Sequence, residues 1–266
     1  MKIQVLMAAM NLKTGIDLPI GFKELYKSKV KCTVINQCEE IDTAIILNQT
    51  NVTIFSYAEK GLSKSRNRNL DVLSEKIALI SDQDIQFKKG FHNTIITAFE
   101  ENPKADIITF QIEDDQGKPF KKYKRKAFWM NQRDIMKVSS VEIAFKTASI
   151  RKSELRFDEE FGLGAAYPTG EEAIFLSDAL KKGLKIRYLP FPIVIHPKAS
   201  SGYQFLNNKD LIKAKGAMFY RMFGQMAYAI SIFFAIKKFK MSSENLVDFV
   251  KQIFMGISSY KRLHNE

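Results

Sequence analysis

A short apolar run ends in two aspartates at Ile77-Ala-Leu-Ile-Ser-Asp-Gln-Asp84, and this stretch restricts the folds open to the chain. The run is brief, apolar and followed by polar residues, which predicts a buried strand over residues 77–81. A strand sends alternate side chains to one face, so Asp82 and Asp84 are expected to point together from its exposed end. Two converging carboxylates at a strand's C-terminal edge suit a hard divalent cation that keeps open positions for phosphate oxygens. In open α/β sheets, that edge is where ligands bind. The same pattern also fits a solvated turn after a strand, so the rest of the chain has to decide.

The chain around this run alternates. Strands are expected at Ile3–Met10, 30–36, 52–57 and 105–111, with a short one at 44–47. Helices are expected at 62–73, where Leu62, Leu70 and Leu73 share a face, and at 88–101. The second stops before Asn102-Pro103, because the residue before proline avoids helical geometry. This alternation argues for an α/β sheet covered by helices. At 266 residues the chain holds one large domain or two small ones. Its formal net charge of +12 favours anionic partners: nucleotide phosphates, anionic lipid or nucleic acid. No zinc-finger spacing and no RNA-recognition signature is found, so no nucleic-acid partner is expected. Cys32 and Cys38 lie six apart and flank a strand. They read as small buried apolar residues in a reducing, cytoplasmic setting. Met1-Lys2 leads into only a short apolar segment without a cleavage-like site, so no signal peptide is expected.

Two further regions carry pattern. Residues 113–126 open acidic (Glu113, Asp114, Asp115), turn at Gly117 and Pro119, and become basic at Lys118, Lys121, Lys122, Lys124, Arg125 and Lys126. They read either as a solvated hairpin or as a patch for phosphate or a membrane surface, with Tyr123, Phe128 and Trp129 as stacking or interfacial groups. Residues 157–170 are loop-like, with glycines at 162, 164 and 170 and Pro168. A helix should run from about Gly170 to Gly183, with Ala173, Leu176 and Leu180 inward. Glu171 and Glu172 fall in its first turn, where the helix dipole favours anions. Thr169-x-x-Glu172 fits a capping box. It equally fits a carboxylate held at a loop–helix junction as a general base. A strand at 185–189, a turn at 190–192 and a strand at 193–195 then end in His196-Pro197, with a flexible loop expected at Ser200, Ser201 and Gly202. His196 is a surface residue unless its strand neighbours the Asp82/Asp84 edge, where the imidazole could be a third metal ligand.

Taken in order, these pieces resemble a family 2 type glycosyltransferase with the nucleotide-diphospho-sugar (GT-A) fold, similar to bacterial capsule and exopolysaccharide enzymes. The resemblance covers residues 1–200. Gly61-Leu-Ser-Lys-Ser-Arg-Asn67 resembles the family's Gly…Ala-Arg-Asn segment, and Ser81-Asp82-Gln-Asp84 its Asp-x-Asp motif. Phe157-Asp-Glu159 with Gly170-Glu-Glu172 resembles its Phe-Asp-Glu…Gly-Glu-Asp acceptor region. Gly183, a strand and His196-Pro197 complete the order. Three positions depart from the family. The first strand ends Ala8-Ala9-Met10 instead of Pro-x-Tyr-Asn, the second ends Asn36-Gln37 instead of paired aspartates, and Glu172 stands where an aspartate is usual.

The resemblance implies a mixed, mostly parallel sheet flanked by helices, as a catalytic domain at 1–203 with a helical segment at 204–266. It implies a nucleotide-sugar donor, a UDP-sugar, contacted by Ala8, Ala9, Met10, Asn36, Gln37, Arg66, Asn67, Asp82 and Gln83. Asp84 would bind Mn²⁺ or Mg²⁺ directly, and Asp82 would reach it through water or hold the ribose. Phe157, Asp158 and Gly170 would border the acceptor, a saccharide or lipid-linked saccharide. Glu172 or Glu171 would be the base of an inverting transfer in cell-surface polysaccharide synthesis. The expected location is cytoplasmic, at the inner face of the membrane.

The C-terminal third differs. Residues 217–236 are long and apolar enough to span a bilayer, but Arg221 and Gln225 interrupt them. A helix packed on the core, or one lying in an anionic membrane surface with Lys237, Lys238 and Lys240 as a basic rim, fits better. Ser242 or Ser243 is expected to cap a last helix at 244–260, with Leu246, Phe249, Val250 and Phe254 as its apolar stripe. Two other classes stay open: a nucleotidyltransferase of related fold, and a non-catalytic module binding polyanions or membranes.

Overall fold

The computed structural model describes residues 1–12, 22–38, 51–196, 208–242 and 245–264. The strand expected at 44–47, the loop at Ser200, Ser201 and Gly202, the boundary at 203/204, Pro197 and Ser243 lie outside the described residues. By its contacts the chain divides into two compact units. One comprises Met1–Lys60, Lys64–Phe157 and Phe175–Lys198; the other comprises Gly61–Ser63, Asp158–Ile174 and Ala199–Glu266.

In the first unit, β1 (Ile3–Met10), β2 (Lys31–Gln37), β3 (Val52–Tyr57) and β4 (Ile77–Asp82) pair in parallel, in the order β3-β2-β1-β4. The helices α1 (Phe22–Ser28) and α2 (Leu62–Asp71) fall between these strands in the chain. Seven of the eight residues of β1 are buried, on both faces, as expected for a parallel strand covered by helices. Beyond β4 the sheet continues through β8 (Ile143–Lys146), β6 (Ile107–Glu113), β9 (Ile186–Ile195) and β5 (Gln86–Phe87). A short β7 (Phe128–Trp129) pairs with β9. β8 runs antiparallel to both β4 and β6, so those two keep a common direction. The expected mixed, mostly parallel sheet is therefore what forms. It is flanked by α3 (Phe91–Glu101), α4 (Thr147–Ser153) and α5 (Glu171–Lys181). Cys32 is fully buried in β2, where burial pushes its thiol well above the ordinary range.

One strand departs from expectation. The predicted pair at 185–189 and 193–195 is a single strand, β9, running through Pro190 and Pro192. The partner register slips there: Thr109 faces Tyr188, whereas Gln111 faces Pro192. Proline cannot donate to a ladder, and a bulge is one of the few interior places that tolerate it. The strand therefore continues past its prolines and pairs Ile195 with Gln86 of β5.

The second unit contains α6 (Lys209–Phe223), α7 (Ala227–Lys238) and α8 (Leu246–His264). The apolar run at 217–236 is broken at Gly224, whose φ of 56° ends α6, followed by a 3-10 turn over Gly224–Met226. Asn245, not a serine of the expected pair, caps α8: its Oδ1 accepts from the Asp248 backbone N at 3.0 Å. The buried stripe of α8 is Phe249, Ile253, Ile257 and Tyr260, with Leu246, Val250 and Phe254 half-buried. α6 and α8 meet at Gly216 and Gly256. A Cβ on Gly216 would overlap the Ile253 carbonyl, and one on Gly256 would overlap the Lys213 carbonyl. Neither neighbour is a flexible side-chain end, so neither can give way.

This contact sets a test of the bundle. Gly216→Ala would gain about 1 kcal/mol from helix propensity. Forcing the helices apart costs about 3 kcal/mol. The expected outcome is a net loss of about 2 kcal/mol, read as a lower urea midpoint at unchanged slope. A stabilised variant would show that the helices do not meet at these glycines.

Candidate functional site

The end of β4 joins several elements. Asp82 is its last residue, and there the strand stops; Gln83 and Asp84 form a turn. The strand alternation expected to bring the two carboxylates together therefore does not reach Asp84, and they take different partners. Asp82 Oδ1 accepts from Arg66 Nη2 at 3.3 Å, and its Oδ2 accepts from Ser140 Oγ at 2.9 Å. Arg66 is only 3% exposed and lies 5.5 Å from the Phe157 ring centroid. A guanidinium so enclosed requires a counter-charge, and Asp82 supplies it.

Asp84 faces the other way. Its Oδ2 lies 3.5 Å from His196 Nε2. The hydrogen bond from His196 holds the Asp84 carboxyl below the ordinary range, against partial burial, which acts to raise it. The pairing follows from the sheet. β9 pairs Ile195 with Gln86, so the residue after β9 falls beside the turn before β5. The His196 backbone N donates to the Glu113 carbonyl at 2.9 Å, and its ring packs edge-on to Phe120 at 5.3 Å. β9 itself is separated from β4 by β8 and β6, and His196 comes beside Asp84 through the pairing of β9 with β5.

The expected donor residues gather at the same edge, with differing commitments. Ala8 pairs with Asp82 across the β1–β4 register. Met10 is exposed, and its backbone N donates to Gln83 Oε1 at 3.0 Å. Asn36 is buried; its Oδ1 accepts from Leu12 N at 3.0 Å, and its amide donates to Ser56 Oγ at 3.3 Å. Gln37 beside it is buried and hydrogen-bonds Glu59. Asn67 has its side chain on the Phe157 backbone, donating to the carbonyl at 3.0 Å and accepting from the N–H at 2.8 Å. Phe157 itself is buried and stacks on Phe175 at 4.2 Å.

Ser140 was missed by sequence reasoning, although a signal was present. Ser139-x-x-Glu142 is a capping box over the 3-10 turn Ser140–Glu142, and both of its hydrogen bonds form. Glu142 is 2% exposed. It accepts from Tyr123 Oη, and from Lys121 Nζ at 3.0 Å. Burial pushes its carboxyl up, and Lys121 pulls it back. Part of the basic segment 113–126 is thus internal structure: Lys121 pairs with Glu142, and Lys124 with Asp134 at 3.2 Å. Lys118, Lys122, Arg125 and Lys126 are exposed.

The remaining expected residues belong to the second unit. Glu171 is buried and Glu172 half-buried in the first turn of α5. Gly170 before them has φ 101°, and a Cβ there would come within 2.8 Å of Met218. Both glutamates act on Lys215 of α6: burial pushes the Lys215 ammonium down, while Glu172 and then Glu171 raise it. Asp158 Oδ2 accepts from Arg221 Nε at 2.8 Å. Gly61–Ser63 joins this loop through Leu62 N donating to the Leu163 carbonyl at 2.8 Å, and Ser63 Oγ to the Phe161 carbonyl at 2.6 Å. Lys215 and Arg221 carried no motif in the sequence. Among the described residues, no three His, Cys, Asp or Glu side chains converge as a metal cluster.

This architecture is a glycosyltransferase fold. TarS of S. aureus has it: its 1–349 fragment in complex with UDP-GlcNAc matches with a TM-score of 0.68 at 16% identity, over 98% of this chain and 81% of that one. The same fragment in complex with UDP gives 0.62 at 16%, over 90% and 72%. A longer TarS structure gives 0.61 at 16%, over 91% of this chain, which spans 44% of that one. No family model and no curated protein matches the sequence.

The Asp84–His196 pair sets a titration test. A carboxyl held below its unfolded value stabilises the fold above that unfolded value, and the contribution is lost as pH falls through the folded one. Asp84 is mostly exposed, so solvent screens the effect. In His196→Ala, the Asp84 carboxyl should titrate at higher pH, nearer the ordinary aspartate value, in a carbon-13 NMR titration. An unmoved titration would show that His196 does not hold it.

Proposed function

We propose that this protein transfers a sugar from a UDP-sugar to a hydroxyl of a saccharide or lipid-linked saccharide, with inversion, as a family 2 type glycosyltransferase of cell-surface polysaccharide synthesis. The observation that carries this reading is the Asp84–His196 pair at the C-terminal edge of β4, in a fold shared with TarS, which has been solved with UDP and with UDP-GlcNAc. The donor set fits Mn²⁺ or Mg²⁺: one carboxylate and one imidazole, with remaining positions for diphosphate oxygens and water. When bound, the cation would neutralise charge on the departing diphosphate. Asp84 and His196 would hold it. Asp82, fixed by Arg66 and Ser140, would orient the ribose or a metal-bound water.

In the transfer, the acceptor oxygen forms a bond to the anomeric carbon as the bond from that carbon to the diphosphate oxygen breaks. The electron pair leaves with the nucleoside diphosphate. Glu172 takes the acceptor proton, with Glu171 as the alternative; this role rests on the resemblance of Gly170-Glu171-Glu172 to the family's acceptor motif.

UDP-GlcNAc with Mn²⁺ is expected to raise the melting temperature of the protein, and Asp84→Ala to remove the metal-dependent part of that rise, measured against the variant's own unliganded melt. Full turnover in Asp84→Ala would sink the metal assignment. Glu172→Gln should retain donor binding and lose about 10²–10⁴-fold in transfer rate, the usual contribution of a general base. If Glu171→Gln shows that loss instead, the base is Glu171. If neither does, the turn is structural.

A further inference from the structure

The helix α7 turns one large apolar face outward. Its buried positions are small: Ala227, Ser231 and Ala235, four residues apart on one face. Phe234 packs inward against Phe219 and Phe249, but Ile232, Phe233 (64% exposed) and Ile236 (58%) point outward, with Met226 (69%) in the turn before it. A solvated helix normally buries its large apolar residues and exposes polar ones. A contiguous exposed apolar face of this kind marks an interaction surface. Lys237, Lys238 and Lys240 follow directly at its C-terminal end.

We propose that α7 lies in the surface of an anionic membrane. Met226, Ile232, Phe233 and Ile236 enter the acyl boundary, and the three lysines sit among anionic headgroups. The charge favours lipid over other occupants. Residues 208–266 hold ten Lys and Arg against four Asp and Glu. The helical run Lys209–Met241 is long and apolar enough to cross a membrane by length and composition, but α7 alone, with 12 residues, reaches only about 18 Å, against about 30 Å of hydrocarbon. The turn at Gly224 separates it from α6, where Ile212, Met218, Phe219 and Met222 are buried. The same bundle has an open groove of about 690 Å³, where Lys213, Lys251 and Arg262 surround Val250 and Phe254, again pairing cations with apolar surface. The inference stands independently of the transferase reading.

The test is co-sedimentation of the full chain with phosphatidylglycerol/phosphatidylcholine vesicles and with pure phosphatidylcholine vesicles, at low and high salt. Binding is expected to the anionic vesicles and to weaken with salt. Phe233→Asp with Ile236→Asp should lower the vesicle partition coefficient at least tenfold at unchanged circular dichroism and melting temperature. Lys237→Gln with Lys240→Gln leaves the apolar face intact and should lower it several-fold and flatten the salt dependence. Failure of the native chain to bind anionic vesicles would overturn the proposal, as would native-like binding by the Phe233/Ile236 variant. A concentration-dependent dimer, abolished by that variant and unaccompanied by vesicle binding, would assign the face to a second copy instead.

Discussion

The buried guanidinium of Arg66 governs the arrangement at the end of β4. An unpaired guanidinium away from water costs several kcal/mol, so it needs a carboxylate beside it. Asp82 meets that need and is thereby turned inward, with Ser140 holding its second oxygen. The turn carrying Ser140 must then be fixed in turn. The Lys121–Glu142–Tyr123 cluster and the capping box do this from beneath. With Asp82 committed to Arg66 and Ser140, Asp84 is the carboxylate of the pair that faces outward. The division of roles within Asp-x-Asp is thus set by which of its members has a buried cation to neutralise.

The second component reaches the site through the sheet. β9 is long enough to place His196 beside Asp84 because it does not stop at its prolines. The bulge opposite Thr109–Gln111 absorbs two residues that cannot donate hydrogen bonds, and the strand resumes in time to pair with β5. Were 190–192 a free turn, as local signals suggest, the register of Ile195 against Gln86 would not be enforced. The imidazole would then have no fixed distance from the carboxylate.

What was legible in the sequence follows from the range of the forces involved. β1 and β3 are read to the residue, because β-branched and apolar runs specify buried parallel strands locally. The aspartates at the end of β4 were legible for the same reason. Their separation was not, because it depends on where the strand stops. β9 was misread because proline's local meaning was overridden by a partner register 79 or more residues away in sequence, a purely tertiary effect. The Ser140–Asp82 contact spans 58 residues and leaves no local trace beyond the capping box that shapes its turn. Asn245 outcompeted the serines as a cap with the same chemistry two or three positions on, close to the ordinary uncertainty of a helix start.

The glycine contact between α6 and α8 bears on the outer helix as well. Where two helices touch backbone to backbone, the third has little depth in which to insert a large side chain. α7 meets that constraint with Ala227, Ser231 and Ala235. Phe234 still packs against Phe219 and Phe249, while Phe233, Ile232 and Ile236 lie on the far face. Each such side chain left in water forgoes about 1.5–3 kcal/mol relative to full burial. A face of this kind is therefore a store of free energy that an apolar phase can recover, and lysines at its rim add about 1 kcal/mol each near an anionic surface. The bundle thus packs small residues of α7 at its buried positions and leaves Ile232, Phe233 and Ile236 at its surface, where an apolar phase can take them up.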